Sequence, residues 1–478
     1  MTATSSAEAA AVAGRLRGLQ TGAREIAEAP VEVRGELPPW LRGTLLLNGP
    51  ALWDLPQGGY RHWFDGHAML HRIRLGAGPA SYRSRFLQTA DYEASVAAGK
   101  PALPGFGTPD PLNFWQRLRH AGRPRMTDNG AVVMARMGEQ WVAQTDTPLV
   151  TRFDPQTLES LGRLAWDDRE VIHLMSAHSI TEADGTYWNV GVELGPKCLY
   201  KVFRVRPGGT RREVVARIPV AKPGYLHGFA MTPNHAIVWE PALRAQPLKF
   251  IFSGNSYMDN FRWEPAAGSR LHAVPLAGGP VRTWSIPPMM AFHAVQAFEE
   301  GDDIVLDLCT PDHGIFAALM LDKLRAGTPV DVPHRVLRYR MRPGAAEAPS
   351  QQVGEGVDLP MVHGAYWTRQ RARYAWCAAF DPAHRAPMMD RTVKLDLDAP
   401  DVAGTWQRGN AIQLEPLFVE RPGSSEEEDG VLLVPTLADD DSGTVVAVVE
   451  PGPMRCRAEL LLPQVVPFGF HAAWLQDT

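Results

Sequence analysis

Short runs of β-branched, aromatic and aliphatic residues, each closed by glycine, proline or a turn dipeptide, recur along the whole chain. The clearest are Thr44–Leu47, Ala131–Met134, Tyr187–Val192, Ala236–Trp239, Asp303–Cys309, Arg373–Ala378, Gly430–Pro435 and Thr444–Val449. Runs of this length and composition between turn residues read as strands. Asp65-Gly66, Asn129-Gly130, Asp184-Gly185 and Asp429-Gly430 suit tight hairpins, because such turns need backbone with φ above zero. Amphipathic helical patterns are scarce, the best being Thr89–Ala98, Phe114–Ala121 and Phe316–Ala326. The pattern predicts an all-β fold.

An all-β chain of 478 residues has many strand edges to protect. Radial repetition of small sheets does this, which points to a β-propeller. No WD or kelch repeat appears, so periodicity leaves the blade count open. The stretch Pro422–Asp429 (PGSSEEED) lies between strand-like runs and reads as an exposed turn, not a linker. Residues 1–24 are rich in Ala and Ser but interrupted by Glu8, Arg15 and Arg17, so they read as a flexible tail and not a signal peptide. Residues 25–478 are then one propeller domain. No run of 18 apolar residues occurs, so no transmembrane helix is expected. The expected location is cytoplasmic, with peripheral membrane contact. Net charge is −5 with no basic tract, which argues against a nucleic-acid partner. Cys198, Cys309, Cys377 and Cys456 show no C-x-x-C spacing and read as reduced thiols.

Histidines carry the chemistry. In His178, His227, His293 and His471 the imidazole follows an apolar or small residue and precedes a small one, at the start of a strand-like run. The small neighbour leaves room beside a ring pointing into a crowded centre. These four are separated by 49, 66 and 178 residues. Zinc fingers and H-E-x-x-H sites place their ligands close together in sequence. Ligands this dispersed need a radial fold that brings distant strands to one axis. His272 and His363 share the same local pattern, and a lone histidine is more often a hydrogen-bonded structural residue. Spacing alone does not choose among the six.

Longer motifs do choose. RGTLLLNGP (Arg42–Pro50) followed by HWFDGHAMLHRIRL (His62–Leu75) resembles the opening signature of the carotenoid cleavage oxygenase family. The similarity continues, in one order, through TDNGAVV (Thr127–Val133), FDPQTLESLG (Phe153–Gly162), SAHSITEADGTYWNVG (Ser176–Gly191), LHGFAMTPNHAIVWE (Leu226–Glu240), FHAVQAFEEGDDIVLDLC (Phe292–Cys309), EPLFVERPG (Glu415–Gly423) and PFGFHAAW (Pro467–Trp474). PDPLNFW (Pro109–Trp115) and NSYMDNF (Asn255–Phe261) are similar to the animal-type branch. The resemblance implies a seven-bladed propeller with a few helices and loops capping one face. It also implies one iron(II), Fe2+, on the axis, held by His178, His227, His293 and His471, with His272 and His363 off the ligand positions. Imidazole suits Fe(II), and four neutral imidazoles leave two cis positions of an octahedron open.

The family sets a glutamate behind three of its four histidines, fixing tautomer and ring orientation. Matching motifs place these partners at Asp146 (QTDTPL), Asp358 (VDLP) and Glu415 (LEPLF). Two of the three are therefore a methylene short. Glu355 in GEGVDLP is the other candidate for the second position, and Asp358 is preferred because Leu-Pro follows it. The short aspartates are expected to reach through a backbone shift or a water.

The resemblance implies a non-haem iron dioxygenase that uses O2 to split a conjugated C=C bond of a lipophilic carotenoid or apocarotenoid into aldehyde or ketone products. Leu112, Phe114, Trp115 and Leu118, beside Arg117, Arg119, Arg123 and Arg125, would form an interfacial patch at the tunnel mouth. The alternative substrate class is a stilbene or other phenylpropenoid, which family members hold through a Tyr and a Lys near the iron. Here the residue before Asp146 is Thr145, which favours a carotenoid. Retinoid-type isomerohydrolysis and a non-catalytic ligand-binding propeller are further alternatives. Retention of four histidines speaks against the last.

Overall fold

Seven antiparallel sheets form the body of the protein, a β-propeller. The computed structural model describes residues 14–119, 125–367, 370–380, 387–399, 401–439 and 443–477, without the side chains of Leu118, Ile251 and Phe252. In blades 2 to 6 the strands lie in chain order from the axis outwards, as in blade 5: Ala294–Glu300, Asp303–Pro311, His334–Met341, Ser350–Glu355. The other inner strands begin at Val133 (blade 2), Leu174 and Ile180 (blade 3), Ala230 (blade 4), Val357 (blade 6) and Ile412 and Leu417 (blade 7).

The ring is closed by both ends of the chain. Glu32–Gly35 pairs with Arg455–Leu461 as the outer strand of blade 7. Ala472–Gln476 pairs with Gly43–Leu52 as the inner strand of blade 1. The two closures bring the last histidine of the sequence to the axis.

Strands in the middle of a blade are apolar on both faces, because each face packs on a neighbouring blade. Val445 to Val449 are all fully buried. One buried cluster joins Ile237, Trp239 and Trp284 of blade 4 to Leu306, Leu308 and Tyr339 of blade 5. Another joins Val336 and Val353 of blade 5 to Cys377 and Val393 of blade 6. The core thus lies between blades, which explains why strand alternation is weak in the sequence.

Each of the eight strand-like runs holds a strand, although the second begins only at Val133 and the sixth at Tyr374. The helices fall where expected: Ala90–Ala98, Phe114–Leu118, and Ile315–Ala318 followed by Leu321–Arg325. Thr89 caps the first by accepting from the Tyr92 N–H at 3.1 Å, and Gly99 ends it at φ 65°. Asn113 and Gln116 form a capping box on the second. A further helix, Pro247–Phe252, lies in an insertion of blade 4 between Leu243–Ala245 and Phe261–Trp263.

Two of the turn dipeptides behave differently from expectation. Asp184-Gly185 and Asp429-Gly430 do lie at hairpins. Asp65 instead closes a 3-10 turn, accepting from the backbone of His62 and Gly107 and from Thr108. Asn129 bridges Ala68 N and Gly66 O with its side-chain amide. Both are buried tethers, with tertiary hydrogen bonds overriding local turn preference.

Of the expected N-terminal tail, residues 1–13 lie outside the described residues. Residues 14–24 pack onto the propeller. Leu16 and Leu19 are buried, Phe468 N donates to Gly18 O at 2.9 Å, and Thr21 Oγ1 accepts from Trp53 N at 3.0 Å. Ordered packing therefore begins before residue 25.

Candidate metal centre

Each blade sends one residue to the axial cluster. His471, His178, His227 and His293 each stand just before the inner strand of blades 1, 3, 4 and 5, and Asp146, Asp358 and Glu415 come from blades 2, 6 and 7. The backbone at these positions is pinned to neighbouring blades. His227 O accepts from His178 N at 3.2 Å and from Ser176 Oγ at 2.8 Å. His293 O accepts from Cys309 N at 2.9 Å. A Cβ on Gly228 would sit 3.0 Å from Phe292 O, so the residue after His227 has to be small.

One ring nitrogen from each of His178, His227, His293 and His471 lies within 4.8 Å of the others, a group that could hold a metal ion. Ring centroids of His178 are 4.9 Å from His227, 4.9 Å from His293 and 4.4 Å from His471. Burial depresses the His178 pKa well below its usual value, and the three neighbouring imidazoles push the same way. Burial also lowers that of His293, against the opposing pull of Asp358. Both rings are therefore neutral at neutral pH, the form that binds metal.

His272 and His363 lie elsewhere. His272 bonds Glu240 at 3.0 Å and Thr283 at 2.9 Å. His363 Nδ1 accepts from Ala365 N at 3.1 Å.

The three carboxylates are not equivalent. Glu415 Oε1 accepts from His471 Nδ1 at 2.7 Å, and its Oε2 accepts from Ala472 N at 2.8 Å. Asp358 Oδ1 accepts from His293 Nδ1 at 2.6 Å and from Leu359 N at 2.8 Å. A register shift follows Asp358, and Leu359 has φ 51°. That conformation costs a non-glycine residue roughly 1–2 kcal/mol, and the kink it makes carries the shorter side chain to His293. Asp146 Oδ1 lies 3.3 Å from His227 Nδ1 but makes no aligned hydrogen bond. Its Oδ2 accepts instead from the Tyr225 hydroxyl at 2.8 Å, and that hydroxyl lies 3.1 Å from His227 Nδ1. Glu355, the other sequence candidate, is exposed at the outer edge of blade 5.

These contacts put a proton on Nδ1 of His293 and His471 and aim their Nε2 lone pairs at the centre. The Nε2 atoms of His178 and His293 are buried with no hydrogen-bond partner. Orphaned buried acceptors are costly, and four neutral imidazoles around a shared centre fit a divalent transition metal.

His227, His293 and His471 also form part of the wall of a large cavity. Phe64, Phe106, Leu194, Phe250, Phe292 and Phe470 make much of that wall apolar and aromatic. Arg117 and Gly254 border it near the short helices. Phe114 and Trp115 are 58% and 72% exposed there, and so is Leu248 at 72%. Leu112 is half-buried; Leu118 ends the helix, its side chain outside the described residues.

The sequence model of the retinal pigment epithelial membrane protein family matches residues 19–476. The chain belongs to this family, that of the carotenoid cleavage oxygenases. Among curated relatives of this oxygenase, the mitochondrial carotenoid-cleaving dioxygenase of Macaca fascicularis is 29% identical, over 97% of this chain and 96% of that one. The chloroplastic carotenoid cleavage dioxygenase 8 homolog A of Oryza sativa subsp. japonica is 32% identical, over 94% and 86%. Cobalt-substituted apocarotenoid oxygenase of Synechocystis shares the fold, with TM-score 0.85 and 24% identity over 98% of this chain and 99% of that one. The family is iron-dependent, and this member brings four histidines together.

Two residues at this oxygenase's site escaped the sequence reading. Tyr225 lies two residues before His227, and no motif in the sequence marks it as part of the site. Leu248 sits in the blade 4 insertion, where no helix pattern stood out.

Proposed function

We propose that the chain is a non-haem iron(II) dioxygenase that cleaves a conjugated C=C bond of a carotenoid or apocarotenoid. The observation that carries this reading is a four-histidine cluster opening onto an apolar, aromatic cavity. His178, His227, His293 and His471 would hold one Fe2+. Iron held there supplies the one-electron chemistry that lets ground-state O2 react with a closed-shell polyene. The double bond breaks, and each of its carbons takes one oxygen atom as a carbonyl.

The chain's own residues orient and exclude. Asp358 and Glu415 hold His293 and His471 in the ligating tautomer. Phe106, Phe292 and Phe470 give a polyene apolar surface to lie against and would keep water from the reacting bond. Thr145 stands on the cavity wall where a phenol-binding lysine would be needed, and the described wall residues include no lysine. This favours a polyene over a stilbene.

Aerobic incubation of iron-loaded protein with β-carotene, several apocarotenals, resveratrol and isoeugenol, with products identified by mass, tests the reading. Aldehydes from a carotenoid or apocarotenal are expected. Aldehydes from the phenolic substrates alone would refute the substrate class, and none from any substrate would refute the reaction.

The reading places the enzyme in the cytoplasm, drawing its substrate from a membrane surface. No helix among the described residues is long and apolar enough to cross a membrane. Exposed Phe114, Trp115 and Leu248, close to Arg117 and Lys249, suit shallow insertion beside anionic lipid. The double variant F114A/W115A is expected to bind liposomes several-fold more weakly; unchanged binding would remove the patch from the account.

A further inference from the structure

The structure treats its three histidine–carboxylate pairs in three ways. Glu415 is long enough to reach His471. Asp358 is short, and the backbone kink at Leu359 brings it to His293. Asp146 is equally short but has no such kink. Its backbone is tied down, with its carbonyl accepting from Met175 N at 3.2 Å and the next residue's hydroxyl donating to Thr127 O at 2.9 Å. Its carboxylate stops 3.3 Å from His227 Nδ1, out of line.

The Tyr225 hydroxyl contacts both Asp146 and His227. A carboxylate only accepts hydrogen bonds, so the hydroxyl proton goes to Asp146 Oδ2, 2.8 Å away. The phenolic oxygen keeps a lone pair facing His227 Nδ1 at 3.1 Å. Only an Nδ1–H can meet it, which leaves the Nε2 lone pair free for the metal. The ring holds the hydroxyl still: it is fully buried, lies 20° from parallel with the His227 ring, and meets Phe261, Phe292 and Phe316 edge-on.

We propose that Tyr225 is the positioning residue of His227, relaying the charge of Asp146 and fixing the ligating tautomer in place of a direct carboxylate contact. The inference rests on the iron reading above. It predicts a dependence peculiar to this histidine: loss of the tyrosine hydroxyl is repaired by lengthening residue 146.

The test compares wild type, Y225F, D146E and Y225F/D146E, each loaded with Fe(II) and challenged with a chelator. The visible spectrum of the Co(II)-loaded proteins is recorded alongside. Y225F is expected to lose iron about tenfold faster, the scale on which partners of metal-bound histidines act, with an altered cobalt spectrum. Y225F/D146E is expected to return to within about twofold of wild type in both. Phenylalanine keeps the packing, so a purely structural role for Tyr225 predicts no change in Y225F. That result, or a double variant no better than Y225F, would overturn the proposal. Wild type that binds no iron would instead refute the metal site itself.

Discussion

Replacing His178 with alanine is expected to abolish iron binding while the propeller stays folded. Partners behind metal-bound histidines already change affinity by about 10–100-fold, so loss of a ligand is expected to exceed that range. His178 is the informative choice among the four. His293 and His471 each donate a hydrogen bond to a buried carboxylate, and their removal leaves that carboxylate short of a partner. His178 has a buried, unpartnered Nε2 and the other three imidazoles around it, so its loss subtracts a ligand with little else disturbed. Metal that binds only the folded state stabilises it by mass action. Added Fe(II) is therefore expected to raise the melting temperature of wild type and leave that of H178A unchanged, with cleavage of a polyene falling to the metal-free background. A variant that melts like wild type and still responds to iron would take His178 out of the site.

The second large effect concerns stability and a histidine that is no ligand. Glu240 accepts from Arg270 Nη1 at 2.9 Å and from His272 Nε2 at 3.0 Å, and it pairs with Arg244. Glu240, Arg244 and His272 are all nearly inaccessible to solvent. Removing one partner of a buried ionic network leaves uncompensated charge, so E240A is expected to lose about 3–5 kcal/mol, read from the denaturant midpoint. Burial alone would raise the Glu240 pKa, but the hydrogen bond from His272 and the charges of Arg244 and Arg270 hold it below the usual value of 4.5. A carboxyl depressed in the folded state contributes stability above its unfolded pKa and loses it as pH falls through the folded one. The gap between wild type and E240A should therefore narrow on acidification below about pH 4.5. A constant gap would show that packing, not charge, sets the loss.

The fold was largely legible because turn chemistry is local. Runs such as Asp303–Cys309 and Thr444–Val449 declare themselves by composition, and they are strands. Blade count and ring closure were not legible from pattern, because pairing of Glu32–Gly35 with Arg455–Leu461 joins segments more than 400 residues apart. Family resemblance supplied the blade count, and the closure emerged only from the structure. Asp65 and Asn129 misled as turn signals because their side chains serve distant backbone.

At the site, residue type and local pattern narrowed the histidines to six, and surrounding motifs separated His272 and His363 from the rest. The short aspartates were visible in sequence, but how they reach was not. Asp358 relies on a left-handed leucine, which no propensity announces. Asp146 relies on Tyr225, whose hydroxyl matters only because two blades bring it between Asp146 and His227. Leu248 stayed hidden because a six-residue helix inside an insertion has no periodicity to read.

The central claim is that these four histidines hold one iron, and X-ray absorption at the iron K-edge of the reconstituted protein measures that directly. The account predicts one iron per chain with a scattering pattern fitted by four imidazoles, falling to background iron content in H178A. Substoichiometric iron in wild type, or a first sphere dominated by carboxylate or thiolate, would contradict it.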